Sequence, residues 1–571
     1  MHWNPQRASS IRKLIKQNEF VSTGSERPEN GRRFFTGIRA FDWLAWAAVC
    51  LAVLFAAYQW VYSGGFPYIK DGNETAMSYV HALNLYNYNP FATRFLTSTD
   101  TDFTKKATDA RQVYTHNPNF PRYVHYILLL LGLKSFTAQV LLIIIVMTLV
   151  NMLALRRLLL TLLGNGSYGG WLALVAMFGT LTDYIGFLAY TVNTYRTYVF
   201  CLLWLSLFLV IRPGKRWQLF AVVFMAFQLE YGFAIFVLVS TIALLLMHGG
   251  PRKLGLAAAA LGGAAASMLV FLVQLITYLP YTYIWQEFGR TSHRRGGAGF
   301  LSYFTTTLPG WGAKIQAVNS PALNAMLCWA LATSIVICVR ARTQARAPGE
   351  GASARLALAS LYLSLTIGAV ASSAALTDYF LDAFFGSLLP FMTFFNATAM
   401  ALVASDLYEL VRRISWGGRP LRIAAGAAIG MLVLWPMARQ SLRWWHDYPG
   451  LSGGYIDVLK KHYHKKPILV MGHFTYIPTA ITEGRALWMS GEEVDIANAD
   501  FSRFDEFRDE KGELVFLCLD LQWVGCAALT RHLEAAGNEV LYQGRDFAFV
   551  GLKGKPRGAA AAAKASGNGS P

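Results

Sequence analysis

Long apolar runs alternate with short segments rich in Lys and Arg over most of the 571 residues. Many runs reach the roughly 20 residues needed to cross a bilayer as a helix. The spacing predicts spans at 42–63, 137–155, 168–187, 197–211, 255–279, 322–339, 354–372, 386–404 and 421–437. The segment 217–248 has basic residues at both ends, Lys215 and Arg216 before it and Arg252 and Lys253 after it. Basic flanks favour the cytoplasmic side. One long helix cannot return to the side it left, whereas a hairpin of two short helices can. Its hinge is expected at Gln228-Leu229-Glu230-Tyr231-Gly232. That puts Glu230 at the outer end, in reach of water, because a Glu in lipid is costly.

Two polar stretches, 64–136 and 280–321, are too long for turns and read as external loops. A helix is expected from about Asn73, and the short apolar piece Tyr123–Leu133 is expected to lie at the membrane interface. From Arg439 onward the chain turns polar. Ile468-Leu469-Val470-Met471 and Leu514-Val515-Phe516-Leu517 read as buried strands, 527–536 as a helix, and 539–543 and 547–552 as strands. The expected fold class is an all-α polytopic membrane bundle of about 11 transmembrane helices with a small C-terminal α/β domain. The units are a basic cytoplasmic segment at 1–40, a transmembrane domain at 41–437, a periplasmic α/β domain at 438–555 and a disordered Ala/Gly/Ser-rich tail at 556–571.

Composition sharpens this picture. Of the residues, 54% are hydrophobic and only 15% are charged, against roughly 25% charged in a soluble domain. The net charge of +18 is spread over flanks of apolar runs, as on cytoplasmic loops, and forms no stripe of the nucleic-acid-binding kind. The basic N-terminus with its late apolar run reads as an uncleaved signal anchor. The expected location is a bacterial inner membrane, with the N-terminus in the cytoplasm and the C-terminal domain in the periplasm. Of the six cysteines, Cys50, Cys201, Cys328 and Cys338 lie in apolar spans. Cys518 and Cys526 lie in the polar region and can pair in an oxidising compartment. No CxxC or Cys/His zinc spacing occurs, and a divalent metal is admissible but marked by no motif.

The loop after the first span holds the densest polar set: Asp71-Gly72-Asn73-Glu74, His81, Arg94, His116-Asn117-Pro118 and Arg122. A carboxylate in an aqueous cleft can take the proton of an attacking hydroxyl. Asp71 with Glu74 three residues on also resembles a capping box. In the later loop, Arg290, His293, Arg294 and Arg295 suit a phosphate group through charge-assisted hydrogen bonds, or anionic headgroups. Glu230 and Tyr231 at the hinge face a structural pairing with Arg196 as the alternative to substrate contact.

These motifs resemble the GT-C superfamily of integral-membrane glycosyltransferases, which includes protein mannosyltransferases and the aminoarabinose transferase of lipid A. The matching features are the acidic motif after the first span, with Tyr79 and Ala82 following, and His116-Asn117-Pro118 before an interfacial helix. A long span ending in Arg156-Arg157, the hairpin between basic loops and the late α/β domain complete the likeness. The resemblance implies a polyprenyl-phosphate-linked sugar donor, an extracytoplasmic acceptor and an inverting transfer. The family's catalytic carboxylate maps to Asp71, with Glu74 as the alternative. Many relatives have adjacent Asp-Glu, whereas Gly72-Asn73 separates the two acids here. A transporter or flippase, a non-catalytic envelope-assembly protein and a glycan polymerase or ligase are the competing classes. The first would show inverted repeats and broken helices, and no internal repeat is visible.

Overall fold

The computed structural model describes residues 35–62, 69–97, 120–163, 167–190, 194–212, 215–229, 231–248, 253–286, 305, 308–343, 350–375, 385–413, 419–447, 454–471, 476–488, 501–519, 526–544 and 547–553. The chain is mainly helical up to Asp447. Helices α1 (Phe35–Tyr62), α2 (Ile69–Asn87), α3 (Phe120–Leu130) and α4 (Phe136–Leu163) come first. They are followed by α5 (Ser167–Tyr190), α6 (Thr194–Ile211), α7 (Arg216–Phe227), α8 (Tyr231–His248) and α9 (Lys253–Tyr278). Helices α10 (Leu308–Val318), α11 (Pro321–Thr343), α12 (Glu350–Ala375), α13 (Phe385–Arg413) and α14 (Arg419–Asp447) complete the bundle.

Every predicted span falls on one of these helices. Among the described residues, α4, α9, Pro321–Ala341 of α11, Ser353–Ala375 of α12 and Ile423–Gln440 of α14 are long and apolar enough to cross a membrane. Shorter apolar stretches lie in α1, α5, α6, α7 and α8. The hairpin forms where the basic flanks require it, with α7 ending at Phe227 and α8 starting at Tyr231. Several boundaries differ from the sequence reading, among them the ends of α4 and α13 at Leu163 and Arg413, past the expected 155 and 404. Helix α1 starts at Phe35 and α14 runs on to Asp447, past the expected end at 437. Hydropathy marks where the lipid ends, and a helix can continue into the polar region on backbone hydrogen bonds alone. The stretch 376–384 and the tail lie outside the described residues.

Helix α7 packs on α9, α8 on α12, and α5 on α13 and α14. The α7–α9 contact needs glycine. A Cβ at Gly263 would run into the backbone of Phe220 and lie 3.2 Å from the Phe224 nitrogen. Polar stitches hold the last four helices. Near one end, Asn319 donates to Asn396 (3.4 Å), Gln440 donates to Asn319 (3.4 Å), and the Ser320 amide donates to Gln440 (2.8 Å). Toward the other end, Asp406 pairs with Arg355 and accepts from Trp329 (2.9 Å) and Thr333 (3.0 Å).

The C-terminal domain has a five-stranded sheet of β1 (Ile468–Met471), β2 (Ala486–Trp488), β3 (Val515–Leu519), β4 (Glu539–Gln543) and β5 (Phe547–Gly551), in the order β2-β1-β3-β5-β4. Strand β1 runs parallel to β2 and β3, and β5 is antiparallel to β3 and β4. Helix α15 (Tyr455–Val458) precedes the sheet, α16 (Tyr476–Ile481) joins β1 to β2, and α17 (Cys526–Ala535) joins β3 to β4. Both faces of β1 and β3 are buried, as expected of central strands covered on both sides. One face, with Leu469, Phe516, Cys518 and Val550, packs with Leu529 and Leu533 of α17. The other, with Ile468, Val470, Val515, Leu517 and Phe549, joins Ile477 and Ala480 of α16 in a core continuous with the membrane helices. Arg508 is buried and donates to the carbonyls of Gly512 (3.1 Å), Leu552 (2.8 Å) and Lys553 (3.1 Å), with Asp505 on its Nε. Cys518 is disulfide-bonded, whereas Cys50, Cys201, Cys328 and Cys338 are free.

Gly263→Val is expected to cost about 1–3 kcal/mol through overpacking, read as a drop of several degrees in the unfolding temperature of the detergent-solubilised protein. Gly262→Ala is the control. Its Cβ would meet only the Phe220 ring, at 3.7 Å, and should leave that temperature unchanged.

Candidate active site

Helix α2 is polar in sequence yet buried from Thr75 to Leu85, with only Met77 less than fully enclosed. Its polar side chains Thr75, Ser78, His81 and Asn84 recur every three residues, so they wind along neighbouring faces of the helix. Asp71 and Glu74 stand in its first two turns. Glu74 is seven residues before His81, which puts the two positions on one face. The side chains of Asp71 and Glu74 lie outside the described ones.

Helix α3 packs on α2 and brings Arg122 beside His81. Arg122 is 2% exposed and His81 0%. Burial, and then the Arg122 charge, hold the His81 imidazole well below its usual range, so it is neutral. One turn on, His125 Nδ1 lies 2.7 Å from Gln139 Oε1, while Gln139 Nε2 donates to the Leu133 carbonyl at 2.5 Å. Since the Gln139 amide is already donating, its oxygen accepts from His125, which fixes the Nδ1–H tautomer. Burial lowers the His125 pKa to about 4, partly offset by that hydrogen bond. Tyr79 stands edge-on to His125, with ring centres 5.9 Å apart, and donates to the Lys134 carbonyl. Burial, and then the charge of Glu483, push the Tyr79 hydroxyl above its usual range.

The sheet domain covers this cluster. Helix α16 packs on α2, and the Tyr476 ring meets His81 edge-on with centres 5.6 Å apart. The hinge of the hairpin meets α3 on another side. The Phe120 amide donates to the Gln228 carbonyl (3.2 Å), and Gln228 Nε2 donates to Ser267 Oγ (2.8 Å) on α9. The Phe120 ring meets Tyr198 of α6 at 5.6 Å, two residues after Arg196. A turn at 90–97 completes this end of the bundle. Arg94 and Phe95 adopt positive φ values of 54° and 61°, a left-handed conformation that costs a non-glycine residue of order 1–3 kcal/mol. The turn is held by Tyr123 donating to the Phe95 carbonyl (2.8 Å) and Gln274 donating to the Arg94 carbonyl (3.2 Å).

Of the residues singled out from sequence, the fold therefore joins His81 and Arg122 and places Asp71 and Glu74 on the same helix. Arg94 is exposed, with its guanidinium on the Phe91 carbonyl at 2.8 Å, and Tyr123, the neighbour of Arg122, binds the carbonyl of the next residue, Phe95. Tyr231 opens α8 and lies against Phe271, with ring centres 6.4 Å apart. Arg196 is in the first turn of α6, with its side chain outside the described ones. His116, Glu230, Arg290, His293, Arg294 and Arg295 lie outside the described residues. His125, Gln139 and Tyr476 went unnoticed in the sequence. Arg122 and His125, three apart in an otherwise apolar helix, were the available signal for His125. Nothing local marked Tyr476. Among the described residues no three His, Cys, Asp or Glu side chains gather as metal ligands.

No family model and no curated protein matches the chain. Among solved structures it is similar to ArnT from Cupriavidus metallidurans in the apo state, with 12% identity and a TM-score of 0.39, over 84% of this chain and 93% of that one. The likeness to ArnT from Cupriavidus metallidurans bound to undecaprenyl phosphate has the same identity and score, over 87% and 97%. At this identity and score the likeness decides neither residue roles nor chemistry.

The buried histidines give a pH dependence of known sign. A histidine whose folded pKa is depressed keeps its full stabilising contribution above the unfolded value near 6.5 and loses it as pH falls toward the folded value, about 4 for His125. The unfolding temperature should therefore fall by several degrees between pH 7 and pH 4.5, a loss on the order of 1–3 kcal/mol. His125→Asn keeps a donor for Gln139 and removes the titration, so its profile should be shallower. Identical slopes for the two proteins would contradict the buried neutral imidazole.

Proposed function

We propose that the chain is a membrane glycosyltransferase that moves a sugar from a polyprenyl-phosphate donor to an acceptor outside the cytoplasm. The observation that carries this reading is the buried polar cluster at one end of the bundle. Acidic positions on α2, the buried His81 and Arg122 and the Tyr476 ring against His81 stand beside the hairpin hinge. The span order expected from the basic flanks has α1, α5, α7, α9, α12 and α14 end on the hinge side of the bundle and α4, α6, α8, α11 and α13 begin there. In the topology set by the basic flanks, it is the periplasmic side. A disulfide at Cys518 suits an oxidising compartment and supports placing the sheet domain there.

The reaction follows from the charges. Asp71, with Glu74 as the alternative, takes the proton of the acceptor hydroxyl as general base. The oxygen attacks the anomeric carbon from the face opposite the donor phosphate and forms the new glycosidic bond. The bond from that carbon to the phosphate oxygen breaks, and its electron pair leaves with the lipid phosphate, so configuration inverts. Arg122 supplies positive charge beside His81, and Arg290, Arg294 and Arg295 with His293 are the loop cations assigned to the leaving phosphate. Neutral His81, at a position on the helix face that Glu74 shares, carries no charge that competes with the base.

The test is transfer of label from a panel of undecaprenyl-phosphate-linked sugars in membranes that contain the protein. Asp71→Asn is expected to lower the rate by about 10²–10⁴-fold, the usual worth of a general base, with Glu74→Gln showing the smaller loss. If wild type and both variants transfer at one rate, neither carboxylate is the base. If wild type transfers no sugar from any donor while a known transferase does so in the same membranes, the transferase reading is wrong.

A further inference from the structure

The most basic stretch of the C-terminal domain plays no part in the polar cluster described above. Between Asp457 and Lys466 the chain carries Lys460, Lys461, His462, His464, Lys465 and Lys466 against a single acid. This stretch continues α15 as a π-helix, Leu459–Tyr463, a rare winding that is frequent at functional sites. Leu459 is fully buried, and Tyr463 stacks on Phe549 with ring centres 4.8 Å apart, which pins the segment to the sheet. The anchoring leaves Lys461, His462, His464 and Lys465 exposed. Exposed Arg485 donates to the Lys465 carbonyl at 2.9 Å and adds its charge to the same patch. Lys466 is paired with Glu513, and Lys460 is half-buried with the Asp457 charge nearby. Among the described residues, Lys461 and Lys465 carry no ion pair.

The fold also says where this patch lies. Helix α16 packs on the π-helix on one side and on α2 on the other. Helix α14 shows Met431, Leu432, Trp435 and Leu442 outward, each more than 60% exposed, as a lipid-facing stripe. It ends five residues later at Asp447, and the π-helix begins 12 residues beyond that. A chain of that length spans at most about 40 Å. The tether keeps the patch within about 40 Å of the end of α14, on the side where α14 emerges, and so within reach of the membrane surface there.

We propose that this basic segment, centred on Lys461, Lys465 and Arg485, docks on the anionic phospholipid headgroups of the bilayer that α14 crosses. Charge complementarity sets the partner. Clustered cations are attracted to an anionic leaflet within a Debye length of its surface, about 8–10 Å. Docking would hold the sheet domain down on the bundle and so keep α16 seated on α2. The inference needs no transferase activity and stands apart from that reading.

The full-length protein is placed in nanodiscs of phosphatidylcholine alone or with one-third phosphatidylglycerol, and amide hydrogen exchange is followed over 459–466. Exchange should be several-fold slower in the anionic discs, and high salt should abolish the difference. The triple variant Lys461→Gln, Lys465→Gln, Arg485→Gln should lose the slowing while β1 and β3 amides keep their protection. Lys461→Arg with Lys465→Arg keeps the charge and must keep the slowing, so its loss there would overturn the proposal. Equal exchange in the two disc types would overturn it as well. Inorganic phosphate added to the neutral discs is the last arm. Full slowing by phosphate alone would make the segment a free-anion site and not a membrane contact.

Discussion

Burial of a polar helix is the constraint on which the rest of this structure depends. Helix α2 carries Thr75, Ser78, His81 and Asn84 into the interior, and a buried polar group left without a partner costs about 1–3 kcal/mol. Its neighbours are therefore closely specified. Helix α3 must bring Arg122 and His125, the start of α4 must bring Gln139, and the turn between them must turn the Lys134 carbonyl toward Tyr79. The remaining side is covered by α16. Because that helix is also one layer of the sheet domain, the domain and the bundle share one core.

The membrane helices provide the rigid frame that this arrangement needs. Inside a bilayer, association rests on close packing and on hydrogen bonds between helices. The chain uses both. Gly263 lets α9 approach the backbone of α7, and Ser372 of α12 donates to the Gly232 carbonyl near the hinge of the hairpin. The Asn319–Asn396–Gln440 and Asp406–Arg355 groups fix α11 to α14 at two levels. With those helices fixed, the hinge at Gln228 can serve as a firm acceptor for the start of α3.

The sheet domain is built to bear on the bundle. Its central strands are buried on both faces, so a shift of α16 would disturb the packing of β1 and β3. Arg508 ties the segment after β5 to the sheet by donating to the carbonyls of Gly512, Leu552 and Lys553. The strained turn at Arg94 and Phe95 is held by contacts from α3 and α9 at the same end of the molecule. Strain of this kind persists where surrounding structure over-determines it.

The sequence by itself determined whatever depends on local periodicity and on charge along the chain. Apolar run lengths marked the helices, and the basic residues flanking 217–248 required a hairpin with its hinge at Gln228 to Gly232. Apolar clusters marked β1, β3 and β5. The short strand β2 and helix α16 escaped, because three and six residues are too few to show a period. The acidic motif of α2 was visible, but its burial was not, since a polar helix in sequence looks solvent-exposed. Only the tertiary structure joined His81 to Arg122, assigned Gln139 to His125 and brought Tyr476 from about 400 residues away onto α2. Those contacts arise from packing between elements distant in the chain, and no local pattern of residue types encodes them.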